Sequence, residues 1–407
     1  MTPHERKPRS RTLIPLLVAV LGAALCLGGI ALLRPFGPGS PSPLAATAAR
    51  RDAQAIARPL SDAAIRARIE PSVVDVTATL TYDDETASGT GFVIDARAGL
   101  ILTNNHVIRD ATSVNVSVTA TGQAYPAGIV GVDVAADIAV LQIRPTAGLS
   151  AAPLGDSATV TVGSPVMSFG NQAGAGGSPA VAPGVITGTG RTIQADDGAA
   201  GFSETLHGML ATTARIEPGD SGGPLAGSAG TVIGVDTAAG TSGAGVGYAI
   251  PINTAMAAER QITSRRPADG ISLGVDGFLG VIVGPGTARS PVAQRARERS
   301  SAAGAAPASG AAGCAPTRDD VTTPATIAPA PAGALVVGVL CGTGAATAGI
   351  VAGDVITVAG GHQVESPDAL TAIVGASRPG TVISVTWVST AGALRTSRIR
   401  LDPAPAA

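Results

Sequence analysis

From Ser72 onward the chain is cut into short runs of β-branched and aliphatic residues, separated by Gly, Asp and Asn. The runs are SVVDVTATL, TGFVID, SVNVSVTA, AGIVGVD and DIAVLQI, followed by PVMSFG, PAVAPGVITGTG, TVIGVDTA and VGYAIP. Many short strands at this spacing predict an all-β barrel or sandwich and argue against βαβ units. Aromatics are only 2% of the 407 residues, so the core must be assembled from Val, Ile, Leu and Ala. Helical pattern is confined to the ends of this region. Ser61 is placed to cap DAAIRARIE, and NTAMAAERQITSRR over 253–266 closes a first folded domain spanning 61–266.

Beyond a short connector and GFLGVIV (277–283), residues 285–332 hold little but Ala, Pro, Gly, Ser, Thr and a few charges. That composition buries too little apolar surface to repay ordering and predicts a disordered insert. Within it, RARER reads as a solvated charge cluster. Folded pattern resumes with GALVVGVL and GDVITVAGG, an amphipathic SPDALTAIVGA, and the strands TVISVTW and ALRTSRIRL. Residues 277–402 therefore form a second, small β-rich domain with helices.

At the other end, residues 12–33 are an uncharged run of membrane-spanning length, preceded by Arg6, Lys7, Arg9 and Arg11. The positive-inside rule leaves the tail 1–11 in the cytoplasm and everything after Arg34 outside. A cleaved signal peptide is the rival reading. The run is long for a signal sequence, and the nearest small-x-small site, Ala46-Thr47-Ala48, lies far downstream, so we read an uncleaved anchor. Residues 34–60, rich in Pro, Ala, Ser and Arg, form a linker. Cys26 sits in the span, and Leu25 before it does not fit a lipoprotein site. Cys314 and Cys341 fall outside, where an oxidising compartment makes them a candidate disulfide; two buried or idle thiols are the alternative. The net charge of −2 gives no electrostatic footprint for nucleic acid. No metal-ligand cluster or phosphate-binding loop is evident, so no cofactor is expected.

The stretch RIEPGDSGGPL (215–225) holds one serine among glycines, with prolines on both flanks. Gly, Pro, Asp and Ser are ordinary turn residues, but the same composition can project Ser221 while backbone N–H groups converge nearby. A nucleophilic serine needs a base and an orienting group. The chain offers four histidines. His4 is cytoplasmic, His207 sits in a polar loop, and His362 lies in a Gly-Gly turn. His106, where the apolar GLILT runs into a polar turn, is the best base. VDVAADIAVLQI supplies Asp133 and Asp137. Asp137 directly precedes an apolar run and can be half buried against the imidazole, whereas Asp133 reads as a strand-end turn residue. The order His, Asp, Ser is that of chymotrypsin-type barrels. In such a site His106 takes the Ser221 proton, Asp137 holds the tautomer, and the N–H groups of Gly219 and Ser221 form an oxyanion hole.

TNNHV, DIAVLQI, PGDSGGPL and GYAIP resemble the signature blocks of the HtrA (Deg) serine proteases, and SGTGFVID their early strand. FLGV and AGIVAGDVITVAGGHQV are similar to the PDZ domain that follows the protease in that family. The resemblance implies a mostly β fold: a trypsin-like double six-stranded β-barrel followed by a PDZ domain, here behind one N-terminal transmembrane helix. It implies an ATP-independent endopeptidase acting on unfolded or misfolded extracytoplasmic proteins, an apolar S1 pocket, and assembly into homo-trimers. It also implies PDZ binding of C-terminal peptides by Phe278, Leu279, Gly280 and Val281, with the ligand carboxylate on backbone N–H groups.

Three departures bear on that reading. The family usually has Asn before the serine; Asp220 stands here, and without an IVGG start to supply a new amine it needs another donor. Arg215 occupies a position where the family usually has a small residue. Pointing inward it would select Asp or Glu at P1. Snorkelling outward, the expected case, it leaves a pocket of Ile216 and the backbone near Thr237–Ala239 for Val, Ala, Leu or Thr. The insert is also longer than usual. Two rival functions remain open: a catalytically silent PDZ chaperone or scaffold for unfolded chains, and an esterase-like hydrolase using the same site.

Overall fold

The computed structural model describes residues 59–171, 177–196, 203–237, 246–265, 270–285 and 313–407. The basic tail, the predicted anchor 12–33, Cys26, His4 and most of the linker lie outside them. Among the described residues no helix is long and apolar enough to cross a membrane.

Helix α1 (Asp62–Ile69) starts where Ser61 accepts the Ala64 N–H, and it buries Ile65 and Ile69. Six strands follow: β1 (Val73–Leu80), β2 (Glu85–Asp95), β3 (Leu100–Thr103), β4 (Ser113–Val118), β5 (Gln123–Asp133) and β6 (Ile138–Ile143). Each pairs with antiparallel neighbours, and β5 with β6 closes the ring. The four-residue helix α2 (Asn105–Ile108) interrupts this barrel between β3 and β4. The second barrel is closed by β7 (Pro165–Gly170), β8 (Ala180–Asp196), β9 (Ser203–Thr212), β10 (Pro224–Gly227), β11 (Val232–Thr237) and β12 (Gly247–Pro251).

The core is built from Val, Ile, Leu and Ala, and the buried Phe92 and Phe169 belong to one cluster that draws on strands of both barrels. Helix α3 (Ile252–Thr263) packs against β5 and β6 of one barrel and β11 and β12 of the other. Its buried residues Ile252, Ala255, Ala258 and Ile262 recur at helical spacing, forming one apolar stripe. Burying an Ile of this kind contributes roughly 1.5–3 kcal/mol, so α3 is a substantial clamp between the barrels. The connector then adds a further strand, β13 (Ile271–Leu273), to β5.

The C-terminal body opens with β14 (Gly277–Phe278) and β15 (Val281–Pro285). Its sheet runs β15, β16 (Ala334–Val339), β17 (Val355–Ala359), β19 (Val382–Val388) and β20 (Leu394–Arg400), with β18 (His362–Gln363) hanging from β17. Helices α4 (Gly344–Ala348) and α5 (Pro367–Gly375) cover a core that includes Leu279, Leu370, Ile383 and Trp387. Strand β21 (Asp402–Pro403) pairs with β14. Strands β15 and β20 are the two ends of the sheet.

The predicted disordered insert needs correction. Residues 286–312 lie outside the described residues, but 313–332 follow a defined course. Cys314 is bonded to Cys341; the Ala315 N–H donates to Val339 O at 2.7 Å, and Ala328 and Ala330 are buried. A disulfide and main-chain hydrogen bonds supply the ordering that the composition lacks. The segment also touches the first barrel. The Arg318 N–H donates to Tyr82 O (2.7 Å), and its guanidinium meets Asp110 at 2.8 Å and Asp83 at 3.5 Å. The second domain also runs past its expected end at 402, since Ala406 exchanges backbone hydrogen bonds with Asp110 and Ala111.

Candidate active site

Asp137 stands in a tight turn with φ of 52° and is 1% exposed. Its carboxylate is divided between two donors on one residue: Oδ1 accepts the His106 backbone N–H at 3.0 Å, and Oδ2 meets His106 Nδ1 at 2.8 Å. Its carbonyl accepts the Asn104 side-chain amide at 2.9 Å and the Asn105 N–H at 3.3 Å. Asp137 thereby fixes the entry to α2 as well as the ring. With Nδ1–H aimed at the carboxylate, Nε2 is the ring nitrogen able to accept a proton. Asp133 instead accepts the Ala136 N–H at 3.0 Å, as a turn residue. His207 is exposed beside Thr192, and His362 is exposed in β18, so neither joins the site.

The turn that carries Ser221 is tied to the first barrel by Thr90 of β2. Thr90 N–H donates to Ser221 O (2.8 Å) and its hydroxyl to Gly219 O (2.7 Å), while the Asn171 N–H donates to that hydroxyl at 2.9 Å. Thr103 in turn donates to Thr90 O at 2.7 Å. Gly222, with φ of +88°, sits so close that a Cβ there would collide with Thr90 O and the Thr103 hydroxyl. Ser221 and His106 are thus carried on segments bolted to one another. Among the described residues the Gly219 N–H has no hydrogen-bond acceptor. Thr90, Thr103 and Asn104 were missed as site residues; their only sequence signal is polarity inside otherwise apolar runs.

The donor Asp220 required is the Glu217 backbone N–H, at 2.8 Å from Oδ2. Arg215 has its side chain 83% exposed and pairs with Glu217 at the surface. Ile216 lies over Gly247, where any Cβ would meet it. Thr237 is buried and its strand pairs with Tyr248; residues 238 and 239, the rest of the expected pocket wall, lie outside the described residues. Of the expected peptide contacts, Leu279 is buried in the core and Gly280, at φ of +83°, abuts Thr343. The Phe278 ring stacks near Tyr82 of the first barrel at 5.5 Å, and Val281 opens β15.

A family model described as the trypsin-like peptidase domain matches residues 89–235. The serine protease PepD of Mycobacterium tuberculosis is 31% identical over 427 residues, covering 98% of this chain and 80% of that protein. The chain belongs to the HtrA-type, trypsin-like serine proteases. Among other HtrA-type relatives, the periplasmic serine endoprotease DegP of Escherichia coli is 31% identical over 304 residues, 74% of this chain and 54% of DegP. The chloroplastic Protease Do-like 1 of Arabidopsis thaliana is 39% identical over 210 residues, 48% of this chain and 46% of that protein. A solved HtrA-type structure, AlgW with a tripeptide, is 27% identical, covers 85% of this chain and 99% of its own, and superposes with a TM-score of 0.44.

Proposed function

We propose that this HtrA-type protease is an extracytoplasmic, ATP-independent endopeptidase of unfolded proteins, with His106, Asp137 and Ser221 as its triad. The observation that carries the reading is the Asp137 carboxylate, with both oxygens spent on His106. In the reaction His106 Nε2 takes the proton of Ser221 Oγ as it attacks the scissile carbonyl. The tetrahedral oxyanion is held by the N–H groups of Gly219 and Ser221, each donor stabilising it by about 3 kcal/mol. The imidazolium, paired with Asp137, returns the proton to the leaving amine. Water then repeats the sequence on the acyl-enzyme.

The outward Arg215 and the Ile216–Gly247 contact favour small aliphatic P1 side chains, with a broad preference, since one methylene is worth only about 1–3 kcal/mol in an apolar pocket. The bonded cysteines agree with an oxidising compartment, and the uncharged run 12–33 with a membrane anchor. The C-terminal body is read as a PDZ domain that adds a peptide strand to β15, with the peptide carboxylate on the N–H groups of Leu279 and Gly280. Neither N–H has an acceptor among the described residues. Labelling by a fluorophosphonate, with casein as substrate, tests the proposal. Labelling at Ser221 with casein cleavage at aliphatic P1 sites supports it. No labelling supports the silent scaffold, ester turnover without casein cleavage supports the esterase, and acidic P1 sites lost on Arg215→Ala overturn the pocket assignment.

A further inference from the structure

Beneath the nucleophile turn, two carboxyl groups face the same strand. Ser168 and Gly170 are two residues apart on β7 and so project to one face. The Ser168 hydroxyl meets Asp236 Oδ2 at 2.6 Å, and a Cβ on Gly170 would collide with the Asp220 carboxyl. Asp220 is 3% exposed and Asp236 0%. Each keeps one oxygen, Oδ1, without a hydrogen-bond partner among the described residues, as does the buried Thr237 hydroxyl. Two neighbouring carboxylates with unanswered oxygens cannot both stay ionised in such a place. Desolvation raises both groups, Asp236 well above the ordinary carboxylate range, and the charge of Asp220 raises Asp236 further.

Among the described residues no cation acts on either carboxyl, and Arg191 on β8, the strand paired with β7, is exposed. Strands β7 and β10 contribute no ionisable side chain, and β12 only Tyr248. Helix α3, packed on β11, carries Glu259 and Arg260, which interact with each other. The turn itself brings Glu217, already paired with Arg215, and Asp75 on β1 is taken up by the Asn171 side chain. His106 is engaged by Asp137. Lys7 is the only lysine in the chain.

The main chain couples these carboxyls to the catalytic turn. Asp236 N–H donates to Gly223 O and Asp236 O accepts the Gly222 N–H, both at 2.8 Å. Asp220 lies between Gly219 and Ser221, and its carboxyl folds back to the Glu217 N–H. Moving either carboxyl toward water therefore moves the oxyanion donors.

We infer that Asp220 and Asp236 share one proton, and that this proton keeps the Gly219–Ser221 turn in its catalytic shape. The inference makes them positioning residues and rests on the reading of Ser221 as nucleophile. Loss of the proton to solvent takes the pair from a charge of −1 to −2, drives Asp220 outward, and closes the site at alkaline pH while the barrels remain folded.

The test is the pH profile of fluorophosphonate labelling and peptide cleavage in the wild type, Asp236→Asn and Asp220→Asn. The expected result is that each variant loses this alkaline limb, because a single carboxyl cannot reach a charge of −2, and stays active at least about one pH unit above the point where the wild type declines. The acid limb, set by His106, should stay in place. A merely structural role would lower rates at every pH without moving a limb, and that outcome overturns the inference. Infrared spectroscopy of the unlabelled wild type reads the pair without any activity: a protonated-carboxyl band at neutral pH, lost at alkaline pH, is expected, and its absence overturns the inference. Should Asp236→Asn fail to fold, Asp220→Asn and the infrared band still decide. Failure to label at any pH would refute the nucleophile assignment, while the infrared band would still decide whether the two carboxyls share a proton.

Discussion

At Gly222 the chain has no room for a methyl group, because Thr90 and Thr103 of the opposite barrel close over it. Gly222→Ala should therefore abolish fluorophosphonate labelling. It should also lower stability by more than the roughly 1–2 kcal/mol that left-handed backbone costs a non-glycine residue, as denaturant unfolding would show. Ser221→Ala removes only a hydroxyl and should end casein cleavage with unfolding unchanged; adding His106→Ala should make it little worse, because the two act as a unit. Asp137→Asn presents an N–H where Nδ1 needs an acceptor, so kcat should fall on the order of 10⁴-fold, measured by single-turnover peptide cleavage. Stability should carry the mark of the buried acids as well. Burial raises Asp220 and Asp236 above the ordinary value of 3.8, so the native state keeps protons that the unfolded chain releases. Their contribution is full below that value and is lost as pH rises through the folded values. Denaturant midpoints of the Ser221→Ala protein should accordingly fall as pH rises above the ordinary carboxylate range.

Among the elements, residues 313–332 carry more than their composition suggests. The Cys314–Cys341 bond closes a loop with a sequence separation of 27, which chain entropy values at about 3–4 kcal/mol. The half-buried Arg318–Asp110 ion pair adds little alone. Replacing both cysteines by Ser should release the segment, raising amide exchange at Ala315 and Arg318, whose N–H groups donate to Val339 O and Tyr82 O, and at position 341, whose N–H donates to Ala315 O. The barrels and the meeting of Asp137 with His106 were legible in the sequence because hydrophobic alternation and turn residues are local signals. DIAVLQI announces both a buried strand and the aspartate at its head. The ordered insert was not legible, since its order comes from a covalent bond and a neighbouring barrel rather than from its own apolar content. The Asp220–Asp236 pairing was hidden for a related reason. It joins residues on a turn and a strand whose meeting depends on a third strand, β7.

On the scale of the whole molecule, the C-terminal body is fastened to the first barrel by Tyr82 with Phe278 and Arg318, by Arg318 with Asp83 and Asp110, and by Ala406 with Asp110 and Ala111. Two of these grip the turn that follows α2, which carries His106. Truncation before Ala404 should therefore slow peptide cleavage by altering kcat more than KM, read from full rate profiles. The same body presents two unequal sheet ends. Strand β20 bears Arg395, Arg398 and Arg400, charges that repel any added strand, whereas β15 reads Val-Ile-Val-Gly-Pro and carries none. An unguarded edge does not distinguish a foreign extended chain from one belonging to a second copy. Recognition and self-adhesion are then the same property, held in check only by concentration. Ile282→Lys should reduce both peptide capture and light scattering in concentrated solution, while Thr396→Lys on β20 should leave both unchanged. If, as proposed, unfolded chains are collected at this edge, the protein accepts a ceiling on how densely it can be packed at its own site of work.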